Sequence, residues 1–390
     1  MARIRRATTM RFTGWIVLVA ILIAAVTVSA FALTRGGGPT PPKRSLAGAI
    51  RAMAKDRPVA GVAAKFRIDT DLVPGSSSSF SVSPLNGATG TVWAGKGGVR
   101  LVVHSEFGTT QLGFSKGRLV LYDRQHRVAY VLPLPSHHSS EKAREHKAGS
   151  GGKTIDVGHV LNRLRVGAIL SGAIPGDIAG RPEYTVRVSP RHNGGLFGAV
   201  ELAWDAAHRI PLRFAVYPHG SSTPAFAITV TSIHYGRVPA RALTVRPPRG
   251  TKIVHVHLPS RQDVQSGAKT TQPATGVAAV QRAVNFRLAA PAVLAGLPRT
   301  QVRSVDLHGP AALVSYGRGL GTVFVLEQRM AANEQSPLAS LPAASVNGAP
   351  GHELETTLGT VLQFSRGGVT YTVVGSRTAG TIMAAAQAIG

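Results

Sequence analysis

Apolar residues in this chain of 390 residues fall mostly into short runs with every second position apolar. That is the period of a strand with one buried face. Such runs predict strands at Val59–Ile68, Gly90–Ala94, Val99–Ser105, Leu119–Tyr122 and Val128–Leu132, the last two closing a hairpin over Asp123–Arg127. A second series follows at Glu183–Val188, Ala199–Trp204, Leu212–Tyr217, Ala225–Ile233 and Lys252–His257. Short turns between successive strands imply antiparallel pairing. Helical spacing predicts a short helix over Ser45–Lys55 with Ser45 as its N-cap. The best helix of the body is predicted over Ile155–Leu170, from Ile155, Val157, Val160, Leu161, Leu164, Ile169 and Leu170. Further strands are predicted at Arg299–Asp306, Ala311–Ser315, Gly321–Gln328, Thr360–Phe364 and Val369–Gly375, then an Ala-rich helix over Thr378–Ile389.

One run differs from all of these. Trp15–Leu33 is uncharged and follows Arg3, Arg5, Arg6 and Arg11. At ~1.5 Å per residue it spans about the ~30 Å hydrocarbon core of a bilayer. It is expected to be a transmembrane signal anchor with the body outside. Ala30-Phe31-Ala32 also fits a cleavage site, so a cleaved signal peptide and a secreted body stay open. The expected division is 1–14 cytoplasmic basic tail, 15–33 anchor or signal peptide, 34–45 Gly/Pro linker, 46–257 β domain, 258–283 linker and 284–390 C-terminal α+β domain. Pro133–Lys153 reads as a polar loop.

Composition narrows the chemistry. There is no cysteine, which excludes a disulfide framework, a thiolate nucleophile, Cys-ligated metal and a lipid-modified N-terminal Cys. The net charge is +26, from 44 Lys plus Arg against 18 Asp plus Glu. These charges spread along the whole chain without an RNP-like, zinc-finger or helix-turn-helix pattern, so no nucleic-acid partner is expected. Arg-rich codon usage accounts for such a spread, and so does a surface facing anionic lipid heads or wall polymers.

Catalytic patterns are missing from the sequence. It has no Gly-x-Ser-x-Gly elbow, Walker loop, dinucleotide fingerprint or His-Glu-x-x-His. Glu353 and Glu355, taken as helical, point apart and do not make a carboxylate pair. His255 and His257 would share one face of a strand, and His137, His138 and His146 lie in the polar loop. Solvated positions explain both groups better than a metal site. No enzyme activity, cofactor or metal is expected.

Four segments, in order, resemble a known family. Lys116-Gly117-Arg118-Leu119-Val120-Leu121-Tyr122-Asp123 resembles the central hairpin of the LolA/LolB/LppX-like lipoprotein-localisation factor superfamily. Gly180-Arg181-Pro182-Glu183-Tyr184 is similar to a strand opening of its actinobacterial LolA-like members. Trp204 to Arg213 resembles their acidic turn followed by a proline strand, and Val245 to Ile253 their closing segment. The resemblance covers roughly residues 46–257. It implies an incomplete antiparallel β-barrel, its open side covered by helices, that holds acyl chains in an apolar concavity. Relatives include outer membrane lipoprotein carrier proteins and an RseB-like envelope-stress sensor. The chain departs from the carriers in its anchor-like segment and its additional C-terminal region. No family binding residue has a match here.

The expected fold is therefore mainly β (α+β): a curved antiparallel half-barrel sheet covered by helices, a smaller C-terminal α+β domain and an N-terminal transmembrane helix. The expected function is non-enzymatic, a membrane-tethered extracytoplasmic lipid- or lipoprotein-binding protein. The alternative is an envelope protein-interaction or stress-sensing module without lipid cargo. Expected partners are lipid acyl chains or an acylated protein, and the membrane. The candidate cavity lining is Trp93, Leu101, Val103, Leu119, Leu121 and Val200, and a register shift of one residue would replace each by its neighbour.

Overall fold

The computed structural model describes residues 39–55, 59–73, 85–133, 166–192, 194–256, 273–307, 309–329, 338–339 and 341–389. The predicted membrane segment, His137, His138, His146 and His257, and residues 155–165 of the predicted body helix lie outside these. Among the described residues no helix is long and apolar enough to cross a membrane.

The chain opens with α1 (Leu46–Lys55). Ser45 caps it, its Oγ accepting the Gly48 N–H at 3.1 Å. The first sheet is then built from β1 (Gly61–Thr70), β2 (Thr89–Gly95), β3 (Gly98–Ser105), β4 (Gly108–Ser115), β5 (Arg118–Asp123) and β6 (Val128–Pro133). It continues with β7 (Ala168–Leu170), β8 (Ile174–Ile178), β9 (Arg181–Pro190), β10 (Phe197–Asp205), β11 (Pro211–Pro218), β12 (Phe226–Tyr235) and β13 (Lys252–His255). The spatial order is β13-β6-β5-β4-β3-β2-β1-β12-β11-β10-β9-β7, with β8 on β9. This curled half-barrel makes the molecule mainly β with few helices.

In this sheet two sequence expectations are corrected. The predicted helix over Ile155–Leu170 does not reach its C-terminal end: Ala168–Leu170 form β7, with Leu170 opposite Val188. An open sheet edge captured these residues, and ladder pairing outweighs a weak helical spacing. The pairing is also not wholly antiparallel, because β13 runs parallel to β6. After β12 the chain turns through a 3-10 turn at Ala240–Leu243 and crosses one sheet face, so it returns in the parallel sense. Gly113 permits that crossing, since a Cβ there would meet Val245 Cγ2 at 2.6 Å.

The second sheet contains β14 (Val293–Leu294), β15 (Leu297–Asp306), β16 (Pro310–Tyr316), β17 (Val323–Gln328), β18 (Ala343–Val346), β19 (Ala349–Thr356), β20 (Gly359–Arg366) and β21 (Val369–Gly375). Their order is β14-β15-β16-β17-β21-β20-β19-β18. Two helices, α2 (Val277–Ala283) and α3 (Ala379–Ile389), flank it. Val280, Ile382, Ala385 and Ala386 join Val314, Val325, Leu362 and Phe364 in one core. The stretch expected as a 258–283 linker thus ends in structure. Ala274 donates its N–H to Ser304 Oγ at 2.8 Å, and Val280 is fully buried. Glu353 and Glu355 lie on strand β19 rather than on a helix.

The two sheets are joined by main-chain hydrogen bonds. Leu196 N–H donates to Ser376 O at 3.0 Å, and Thr357 N–H donates to Leu72 O at 2.7 Å. Gly195, at φ +61°, passes so close to Ser376 O that a Cβ would lie 1.9 Å from it.

Candidate functional site

Residues directly opposite in an antiparallel ladder share a face, so the register traces a surface across the first sheet. Tyr130 faces Leu121, Leu121 faces Leu112, Leu112 faces Leu101, and Leu101 faces Val92. Val92 faces Ala64, on the same side of β1 as Phe66 and Ile68. Ile68 faces Ile228, Ile228 faces Phe214, Phe214 faces Leu202, and Leu202 faces Val186. One unbroken apolar face therefore runs from β6 to β9.

The face is covered unevenly. At the β9–β10 end, Leu46 and Ala49 of α1 pack on Tyr184, Val186 and Trp204, and the Tyr184 hydroxyl donates to Pro42 O at 2.7 Å. In the middle, Leu85 and Ala88 pack against Phe66, Ile68, Leu101, Val103 and Leu112. Among the described residues the cover thins toward β5 and β6. Leu119, Leu121, Tyr130 and Leu132 are half-buried, and Phe114 is 42% exposed. A large aromatic left that open beside its own core is where an apolar ligand gains most.

The structure brings together most of the residues singled out from the sequence. Leu101 and Val103 are buried in this cluster, with Leu119 and Leu121 packed against it. Val200 lies on the same face farther along, opposite Val188 and Val216, and is half-buried. Trp93 is on the other side of the sheet. It pairs with Arg100 across the strands, whose guanidinium stands 5.3 Å over its ring. Val92 takes the inner position, since neighbours on a strand point to opposite faces.

The opposite face of β8–β11 holds a buried polar cluster that the sequence did not reveal. Arg187 Nη1 donates to Glu201 Oε1 at 2.7 Å, and the Tyr217 hydroxyl donates to Glu201 Oε2 at 3.0 Å. The Arg187 guanidinium lies 4.6 Å over the Tyr217 ring. Burial, followed by the Glu201 charge, pushes the Tyr217 phenol up to about 12. Glu183 accepts from Thr185 Oγ1 at 2.8 Å and lies over Gly176, where a Cβ would meet its Oε1 at 2.2 Å. Burial pushes its carboxyl up to about 7; the Thr185 hydrogen bond opposes this and the Asp177 charge adds to it. Asp177 is itself buried, and its Oδ2 has no hydrogen-bond partner.

Asp205 closes the turn between β10 and β11. Its Oδ1 accepts the N–H groups of Ala207 and His208 at 2.8 and 2.7 Å, and the Tyr235 hydroxyl donates to Oδ2 at 2.6 Å. The His208 ring stacks on Tyr235 at 3.9 Å. These groups satisfy one another and fix the hairpin that presents Trp204 to the apolar face. Among the described residues no three or more His, Asp or Glu side chains come together in a way that could hold a metal ion.

No protein-family model and no curated protein matches the chain. Among solved structures it is similar to MucB in complex with MucA(peri), at 15% identity over 88% of this chain and 97% of that one, with a TM-score of 0.42. The Pseudomonas aeruginosa MucA/MucB complex gives 15% identity over 87% and 96%, also at 0.42. An uncharacterized conserved protein from Thermus thermophilus gives 11% identity over 53% and 97%, at 0.33.

Proposed function

We propose that the chain is a non-enzymatic acyl-binding protein working outside the cytoplasm, tethered or released by its N-terminal segment. The surface that takes the acyl chain is the apolar face of the first sheet. The observation that carries this is the continuous ladder from Tyr130 to Val186, with its cover thinning around Phe114, Leu119 and Leu121. Each methylene moved from water onto such a surface contributes about 0.8 kcal/mol. A chain of about 14 methylenes then gains roughly 11 kcal/mol, against at least ~4 kcal/mol for lost freedom on association. No polar contact is required, which fits the apolar lining.

The test is equilibrium titration of the full chain with a fluorescent, uncharged acyl probe. Wild type is expected to saturate. Leu121→Glu, which places a carboxylate in the half-buried part of the face, is expected to weaken binding at least about tenfold. Equal binding by the variant, or no saturable binding by wild type, leaves the same face as a docking surface for an apolar protein segment.

A further inference from the structure

The second sheet carries a separate cavity of about 890 Å³, within the size range of small-molecule sites. Its lining comes from four places in the chain: the segment after α2, the end of β17, the β20–β21 hairpin and the end of α3. Register explains how they meet. Arg366 is opposite Val369 at the hairpin, and Gln328 is opposite Thr370, which sets Arg329 beside Val369 on the other flank. With strands about 4.8 Å apart, the two arginine backbones stand roughly 10 Å from each other. That gap lets both guanidinium groups reach one anion between them.

Arg287 lines the cavity as a third cation, and among the described residues no carboxylate side chain lines it. All three arginines are exposed. The walls between them are apolar, with Phe286, Leu288 and Ile389. Glu327 lies behind the wall, where its Oε2 accepts the Ala289 N–H at 2.9 Å. Cations at the rim over apolar walls select a ligand with an anionic head and an apolar body. Three guanidinium groups match a phosphate ester, whose oxygens accept paired N–H donors.

We propose that this cavity binds the head of an anionic phospholipid, with the phosphate between Arg329 and Arg366, Arg287 beside it, and the first part of the apolar body on Leu288 and Ile389. The site is distinct from the acyl-binding face of the first sheet and does not depend on it.

The experiment is a ³¹P NMR titration of the full chain in non-ionic detergent. The probes are dihexanoyl phosphatidylglycerol, its phosphatidylcholine counterpart and inorganic phosphate. Saturable binding of the glycerol lipid is expected, at least about tenfold tighter than the choline lipid and the free ion. Arg329→Gln/Arg366→Gln should weaken it at least about tenfold. Both positions are exposed, so unchanged thermal unfolding will show that the variant is folded. The double variant should bind the uncharged acyl probe as wild type does, which separates this result from failure of the acyl-binding reading. Undiminished binding by the double variant overturns the proposal, and so does equal binding of the choline lipid or of inorganic phosphate.

Discussion

Glu183→Gln should make the protein more stable at high pH and leave it nearly unchanged at low pH. The carboxyl lies 1% exposed over Gly176 and beside Asp177, and burial lifts it from 4.5 to about 7. A carboxyl raised on folding favours the protonated fold. Its contribution is complete below its unfolded value near 4.5, falls as pH rises, and is gone once pH passes about 7. The difference is at most about 3 kcal/mol. Glutamine has the same shape and still accepts the Thr185 hydroxyl, but carries no charge to desolvate. Urea unfolding at pH 5 and pH 8 measures this directly. Wild type should lose stability between the two values, and Glu183→Gln should lose less, overtaking wild type at pH 8. Glu327 is also lifted to about 7, by burial against the opposing Ala289 hydrogen bond, so the single variant keeps a residual slope. Adding Glu327→Gln should flatten it further. Equal destabilisation by Glu183→Gln at both pH values would refute the reasoning.

Three other outcomes follow from the geometry. Trp93→Ala should leave acyl-probe affinity within about twofold of wild type, since the ring is on the far face under Arg100; a larger loss in the titration would mean the face assignment is wrong. Gly195→Val should loosen the joint between the sheets, because its Cβ would meet Ser376 O and its φ is positive, and faster amide exchange at Leu196 and Thr357 would report it. Ile382→Ala should cost about 2–5 kcal/mol, since α3 anchors through this fully buried side chain; a loss under ~1 kcal/mol on urea unfolding would contradict the packing.

Strands with strong alternation were legible. Val99–Ser105 and Arg118–Asp123 carry Leu101, Val103, Leu119 and Leu121 at every second position, and the register places all four on one face. Gly108–Ser115 escaped prediction because only Leu112 and Phe114 are apolar among Thr, Gln and Gly. Its place in the sheet comes from its neighbours and from Val245 resting on Gly113. Ile174–Ile178 was not among the predicted strands, because Pro175, Gly176 and Asp177 break its apolar pattern, yet it pairs with β9 and makes room for Glu183. Trp93 and Val92 were indistinguishable by alternation, since both neighbours are apolar; pairing decided it. The buried acids differ in this respect. Glu327 follows Val323 and Val325 at period two and so carried a sequence signal of burial. Glu201 looked like an ordinary outward residue, because Arg187 and Tyr217 cover it only after three strands have paired.

The most direct test of the acyl-binding account is photolabelling of the full chain with an uncharged acyl chain bearing a diazirine, with the labelled residues mapped by mass spectrometry. The account predicts saturable labelling, competed by unlabelled chain, at Leu101, Leu112, Phe114, Leu119 and Leu121. Labelling that does not saturate, or that falls on Trp93 and its neighbours on the opposite face, would contradict it.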